Sequence, residues 1–135
     1  QLARNFYFTQ EKKMSRKIAE AFVAFELEKR YTKEEILTLY LNIIYFGNNQ
    51  YGIQAAAEYY YGITPSELPL PQAICLAGFP QAPSVYPDDP VKAEQRSRKV
   101  FGAMQKYMPQ YTGEDAEEVF RSLPVPQSGG NPEKS

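Results

Sequence analysis

Four side chains that could act together on a charged substrate, Lys13, Arg16, Lys17 and Glu20, recur at i, i+3, i+4 and i+7. On a helix that spacing makes one polar stripe, because each step of three or four residues returns within about 40–60° of the same direction. Ile18, Ala21, Phe22 and Phe25 form the opposite, apolar stripe, and Arg4 and Lys12 precede both in a segment rich in Phe6, Tyr7 and Phe8. Five cations and a carboxylate therefore converge near one helix start, where free N–H groups and the helix dipole also favour anions. Such a set can bind a phosphate or pyrophosphate with a carboxylate beside it. The same spacing describes an ordinary solvated face, whose Arg16–Glu20 pair contributes about 0.3–0.5 kcal/mol of helix stability. Spacing alone favours that plainer reading.

Composition narrows the chemistry further. The 135 residues contain no histidine, no tryptophan and one cysteine, Cys75. Nucleophile systems that rely on histidine, metal sites built on imidazole or paired thiolates, and an intrachain disulfide are all excluded within these residues. Carboxylates, Lys, Arg, Tyr, Asn and Gln are what remains. Lys and Arg number 15 against 16 Asp and Glu, so there is no global basic signature of a nucleic-acid binder. The balance is uneven along the chain: residues 1–33 carry a net +4 and residues 114–135 a net −3.

Helices must position these groups. Ser15 is a candidate N-cap for the first stripe, and Thr32-Lys33-Glu34-Glu35 is a capping box opening a second helix with Ile36, Leu37, Tyr40 and Leu41 inside. Gly47 and Gly52 bracket a polar turn, and Ile53 to Tyr60 reads as a short helix. Residues 65–90 hold seven of the eleven prolines. Pro71 there suits the start of a short helix, Gln72 to Ala77, closed by Gly78. Pro80 to Pro90 reads as an ordered loop. Asp89-Pro90 restarts a helix to about Tyr107, and Thr112 to Leu123 is expected as a last, acidic helix. From Pro124 the Pro/Ser/Gly-rich sequence is expected to be a disordered tail or linker. No segment alternates like a strand, so the expected architecture is all-α and compact. The longest apolar stretch, Ile36 to Phe46, is broken by Thr38 and Asn42 and falls short of the roughly 20 residues a membrane span needs.

Several of these segments also carry recognisable motifs. Arg16-Lys17-Ile18-Ala19-Glu20 fits an R-K-x-x-E pattern, and Glu35-Ile36-Leu37-Thr38-Leu39-Tyr40-Leu41-Asn42 is followed by Tyr45-Phe46-Gly47 and by Tyr51-Gly52-Ile53-Gln54-Ala55-Ala56-Ala57. Tyr60-Tyr61-Gly62, Leu76-Ala77-Gly78-Phe79-Pro80-Gln81-Ala82-Pro83-Ser84 and Arg96-Ser97 with Val100-Phe101 come next. In order and spacing the set resembles the peptidoglycan glycosyltransferases, the lipid II polymerases found as monofunctional transglycosylases and as the glycosyltransferase half of class A penicillin-binding proteins. Against the family pattern, Tyr61 stands in a Phe position, Ser97 in a second Arg position and Phe101 in a Leu position. The resemblance covers residues 1 to about 123 and implies a lysozyme-like helical domain. It also implies that the domain is N-terminally truncated. Gln1 matches the last glutamine of an upstream G-x-S-T-I-T-Q-Q motif, and the family's E-D-x-x-F motif, which holds its general base, is absent here.

The reaction the resemblance implies is attack of the 4-hydroxyl of lipid II on an undecaprenyl-pyrophosphate-linked glycan, forming a β-1,4 bond with inversion and releasing the pyrophosphate. Arg4, Lys12, Arg16 and Lys17 are then expected to hold the pyrophosphate, and Gln1 the donor sugar or phosphate. Glu20 is expected to assist as a second carboxylate, orienting substrate or holding a divalent cation, Mg or Mn. Asn42 and Tyr45 are candidates near the acceptor, although helix packing and a buried amide bond would explain Tyr40 and Asn42 equally well. The implied setting is the extracytoplasmic face of a bacterial cell membrane, with the membrane surface as a partner, a transpeptidase domain in the parent as another, and no nucleic acid. Two other readings stand beside this one: a non-catalytic helical interaction module, and a lysozyme-like glycan-cleaving enzyme, which needs an acid at the glycosidic oxygen but no cationic cluster.

Overall fold

A computed structural model of the chain describes residues 15–26 and 31–121. Six α-helices follow in order: α1 (Arg16–Glu26), α2 (Lys33–Asn42), α3 (Ile53–Tyr61), α4 (Leu70–Gly78), α5 (Pro90–Tyr107) and α6 (Ala116–Val119). Among the described residues there is no strand, only an isolated bridge between Tyr45 and Tyr51. The all-α expectation holds.

Local sequence explains most boundaries. Ser15 caps α1, its Oγ accepting from Ile18 N at 3.2 Å. Thr32 and Glu35 close the predicted capping box at α2, Oγ1 accepting from Glu35 N at 3.1 Å and the Glu35 carboxylate from Thr32 N at 2.8 Å. Asp89 caps α5 through Lys92 N at 3.1 Å, with Pro90 in the first turn. Gly62, in the left-handed region at φ 71, ends α3.

Three expectations are corrected. α4 begins at Leu70, ahead of Pro71, and includes Gly78 as its last residue, with φ −86, before the chain continues into a single 3-10 turn, Phe79–Gln81. The Pro80–Pro90 loop is punctuated by a second such turn, Tyr86–Asp88. The last helix shrinks from Thr112–Leu123 to one turn, Ala116–Val119, because Asp115 caps it late and residues 109–111 form a separate 3-10 turn.

α1, α4 and α5 pack on one another, α2 lies on α1, and α3 on α2. Phe22, Phe46, Phe79 and Phe101 are fully buried in this core. Phe22 of α1 stacks on Tyr40 with centroids 3.8 Å apart, packed within the chain's own core. The 43–52 loop closes over α3: Tyr60 Oη donates to Phe46 O at 2.8 Å and accepts from Asn48 Nδ2 at 2.9 Å. Gly47, at φ 90, allows that loop to touch the Pro83 backbone, which any Cβ would strike. The Pro124 to Ser135 segment lies outside the described residues.

Candidate active site

Helix α1 turns Ile18, Ala19, Ala21 and Phe22 inward and leaves Arg16 and Lys17 exposed, with Glu20 half-buried between the two regimes. Two cations in the first turn oppose the helix dipole, which favours acids there by about 0.3–1 kcal/mol each at exposed positions. α1 carries no acid in that turn. A helix arranged only for its own stability would place its charges the other way, whereas a helix serving an anion gains from Arg16 and Lys17 where they are.

Glu20 is held firmly. Its Oε1 accepts from Tyr111 Oη at 2.7 Å and its Oε2 from Gln110 Nε2 at 2.6 Å. Both donors sit on the 3-10 turn Pro109–Tyr111, about ninety residues further along the chain. Tyr111 is 7% exposed and meets Phe101 edge-on, centroids 6.4 Å apart. Burial pushes its hydroxyl well above the ordinary tyrosine range, the Glu20 carboxylate pushes the same way, and nearby Arg16 pulls back. Sequence reasoning missed both donors. Pro109 signals a break after α5, but no local pattern ties Gln110 or Tyr111 to α1.

Of the other expected site residues, Gln1, Arg4 and Lys12, together with Lys13, lie outside the described residues. Asn42 is exposed at the end of α2 and donates from Nδ2 to Thr38 O at 3.1 Å, within its own helix. Tyr45 accepts from Asn49 N at 3.1 Å and packs on Tyr51, centroids 4.7 Å apart. The structure thus ties Glu20 to Tyr111 and Gln110, while the contacts of Asn42 and Tyr45 are with their own segments.

A second polar group lines a cavity of about 450 Å³ bounded by Phe25, Glu26, Tyr31, Tyr40, Pro80 and Gln81, among others. Tyr40 Oη donates to Glu26 Oε1 at 3.1 Å, and burial, then Glu26, raises that hydroxyl far above its usual range. Arg96 reaches over Gly78 to lay its guanidinium on the Phe25 ring, 4.3 Å from the centroid, and donates from Nη2 to Gln81 Oε1. Ser97, where the family pattern has a second arginine, is buried in α5 and donates to Ala93 O at 2.8 Å. This position points into the core.

Comparisons with known proteins identify the family and agree with the all-α fold. A family model described as Transglycosylase matches residues 1–105. The chain is 43% identical over 108 residues to penicillin-binding protein 1A of Pseudomonas aeruginosa, covering 78% of this chain and 13% of that protein. It is 49% identical over 86 residues to penicillin-binding protein 1A of Escherichia coli, covering 64% of this chain and 10% of that protein. The crystal structure of penicillin-binding protein 1A from Haemophilus influenzae superposes with a TM-score of 0.69 at 32% identity, over 86% of this chain and 17% of that one. The chain thus spans between a tenth and a sixth of the relatives it matches. With the family model covering most of its length, the chain belongs to the transglycosylase family.

Proposed function

We propose that these residues are part of a peptidoglycan glycosyltransferase, polymerising lipid II into β-1,4 glycan strands with release of undecaprenyl pyrophosphate. The observation that carries this is the α1 arrangement: a carboxylate fixed by two hydrogen bonds, one turn from two exposed cations that oppose their own helix dipole. A departing pyrophosphate carries its charge on phosphate oxygens, which Arg16 can contact in bidentate fashion and Lys17 as a point charge. By their places in the motif order, Arg4 and Lys12 are assigned to the same pyrophosphate and Gln1 to the donor sugar or phosphate. Glu20 orients the reacting groups, and Asn42 and Tyr45 lie toward the acceptor. Preorganised charges of this kind stabilise a leaving group without reorganisation in the transition state. Histidine is not needed, in keeping with the composition.

A cation beside Glu20 finds little support from the protein. Each carboxylate oxygen already accepts one hydrogen bond and keeps a single acceptor direction, and among the described residues no three His, Cys, Asp or Glu side chains gather. Substrate phosphates would have to supply the remaining ligands, and we assign no step to a metal. Among the described residues no helix is long and apolar enough to cross a membrane. Action at the extracytoplasmic membrane surface follows from the lipid-linked substrate, and a transpeptidase domain in the same polypeptide from the penicillin-binding relatives.

The test is turnover of labelled lipid II by the intact polypeptide that carries these residues. Glu20→Gln is expected to lower kcat by at least a hundred-fold with the helical circular dichroism unchanged, and full turnover would remove Glu20 from the reaction. Residues 1–135 alone, which contain no E-D-x-x-F motif, are expected to make no polymer. Glycan product from them would show that the base lies within this chain.

A further inference from the structure

We propose that Tyr111 and Gln110 are positioning residues for Glu20, clamping its carboxylate in one orientation toward the substrate. The inference rests on the reading of Glu20 given above and extends it to residues beyond the 1–105 stretch that the family model matches. Each donor takes a different oxygen, Tyr111 Oη on Oε1 at 2.7 Å and Gln110 Nε2 on Oε2 at 2.6 Å, so rotation about the last side-chain torsion is blocked. An ionised carboxylate has about four acceptor directions, which leaves each oxygen one for a substrate hydroxyl or a cation.

The donors are themselves fixed. Gln105 donates from Nε2 to Tyr111 O at 3.2 Å and to Glu114 O at 2.9 Å, pinning the turn to the end of α5. Tyr111 N donates to Met108 O at 3.0 Å, and the Tyr111 ring rests against Phe101. Its hydroxyl stays protonated, and so remains a donor, over the whole neutral range. A free glutamate would lose side-chain entropy on becoming ordered at the reaction. Here the fold has ordered it beforehand, which is the kind of positioning that raises kcat rather than affinity.

Two substitutions test this in the intact polypeptide, again with labelled lipid II. Tyr111→Phe keeps the ring and its Phe101 contact while deleting the hydroxyl, and Gln110→Ala changes an exposed side chain that the fold does not need. Tyr111→Phe is expected to lower kcat about ten-fold with KM within two-fold of the parent, and Gln110→Ala to act in the same direction more weakly. In the Glu20→Gln background neither is expected to lower kcat further, since both act through that carboxylate. Losses that multiply in that background, a change in KM alone, full activity of both single variants, or a gain in kcat would each overturn the proposal, the last by showing that the turn obstructs the site. Should Tyr111→Phe fail to fold, Gln110→Ala decides by the same criteria. A Glu20→Gln enzyme with undiminished turnover would overturn the role of Glu20 and this proposal with it. An inactive Glu20→Gln enzyme beside fully active Tyr111 and Gln110 variants would overturn the clamp alone.

Discussion

Arg96 leaves α5 and crosses Gly78 so closely that a Cβ there would sit 2.7 Å from Arg96 Cγ. The atom struck is near the root of the side chain, so the whole guanidinium would have to leave Phe25 and Gln81. Gly78→Ala therefore sets a helix-propensity gain of about 1 kcal/mol against an overpacking cost of about 1–3 kcal/mol. A net loss near 1 kcal/mol is expected in urea unfolding, and adding Arg96→Ala should remove most of the clash. Additive losses in that double variant would mean that the two residues do not collide. Tyr61 poses a different question, for its hydroxyl is buried without an oxygen or nitrogen partner and abuts the Cys75 thiol. A buried hydroxyl with only a weak partner costs desolvation that it does not regain. Tyr61→Phe, the residue of the family pattern, is expected to match or exceed the parent in thermal stability, and a drop above about 1 kcal/mol would show that the thiol contact is stronger than its chemistry suggests.

Helix α2 owes its start to a pair of exposed groups whose strength depends on pH. The Thr32 backbone N–H, and next its hydroxyl, hold the Glu35 carboxyl below the ordinary glutamate value of 4.5. A depressed carboxylate stabilises the folded state above its unfolded value and loses that contribution as pH falls through the lowered one. Amide protection factors (exchange relative to the intrinsic rate at each pH) at the start of α2 should fall in acid below pH 4.5 in the parent, and Glu35→Gln should flatten that dependence. An unchanged profile would discard the charged cap. The box was legible in the sequence, as were the Asp89-Pro90 start of α5 and the inward stripe of α1, because each signal lies within four residues of what it controls. The last helix was misjudged for the opposite reason. Its acidic run suggests a helix from Thr112, whereas the observed course depends on a turn that Glu20 holds from α1. The Glu20 partners were illegible on the same ground: a hydrogen bond across about ninety residues leaves no periodic trace. The reading of Arg16, Lys17 and Glu20 came from motif spacing, and what the fold adds is who holds the carboxylate.

At the scale of the molecule, the family-model match ends at residue 105 while the core does not. Phe120 is buried and meets Phe101 edge-on, centroids 5.7 Å apart, and Arg98 ties α5 to Glu117 at 2.9 Å. Tyr111 occupies the space between that cluster and α1. The packed unit therefore extends at least to Phe120, fifteen residues beyond the end of the family-model match. A version ended at 105 would uncover Phe101 and Met104, and losing a buried ring such as Phe120 alone costs about 3–5 kcal/mol. Its unfolding midpoint is expected well below that of the full chain, and equal midpoints would show the last segment to be dispensable. Anyone excising this domain by its recognisable motifs would thus obtain a protein that keeps every signature residue, yet has lost the brace behind its carboxylate.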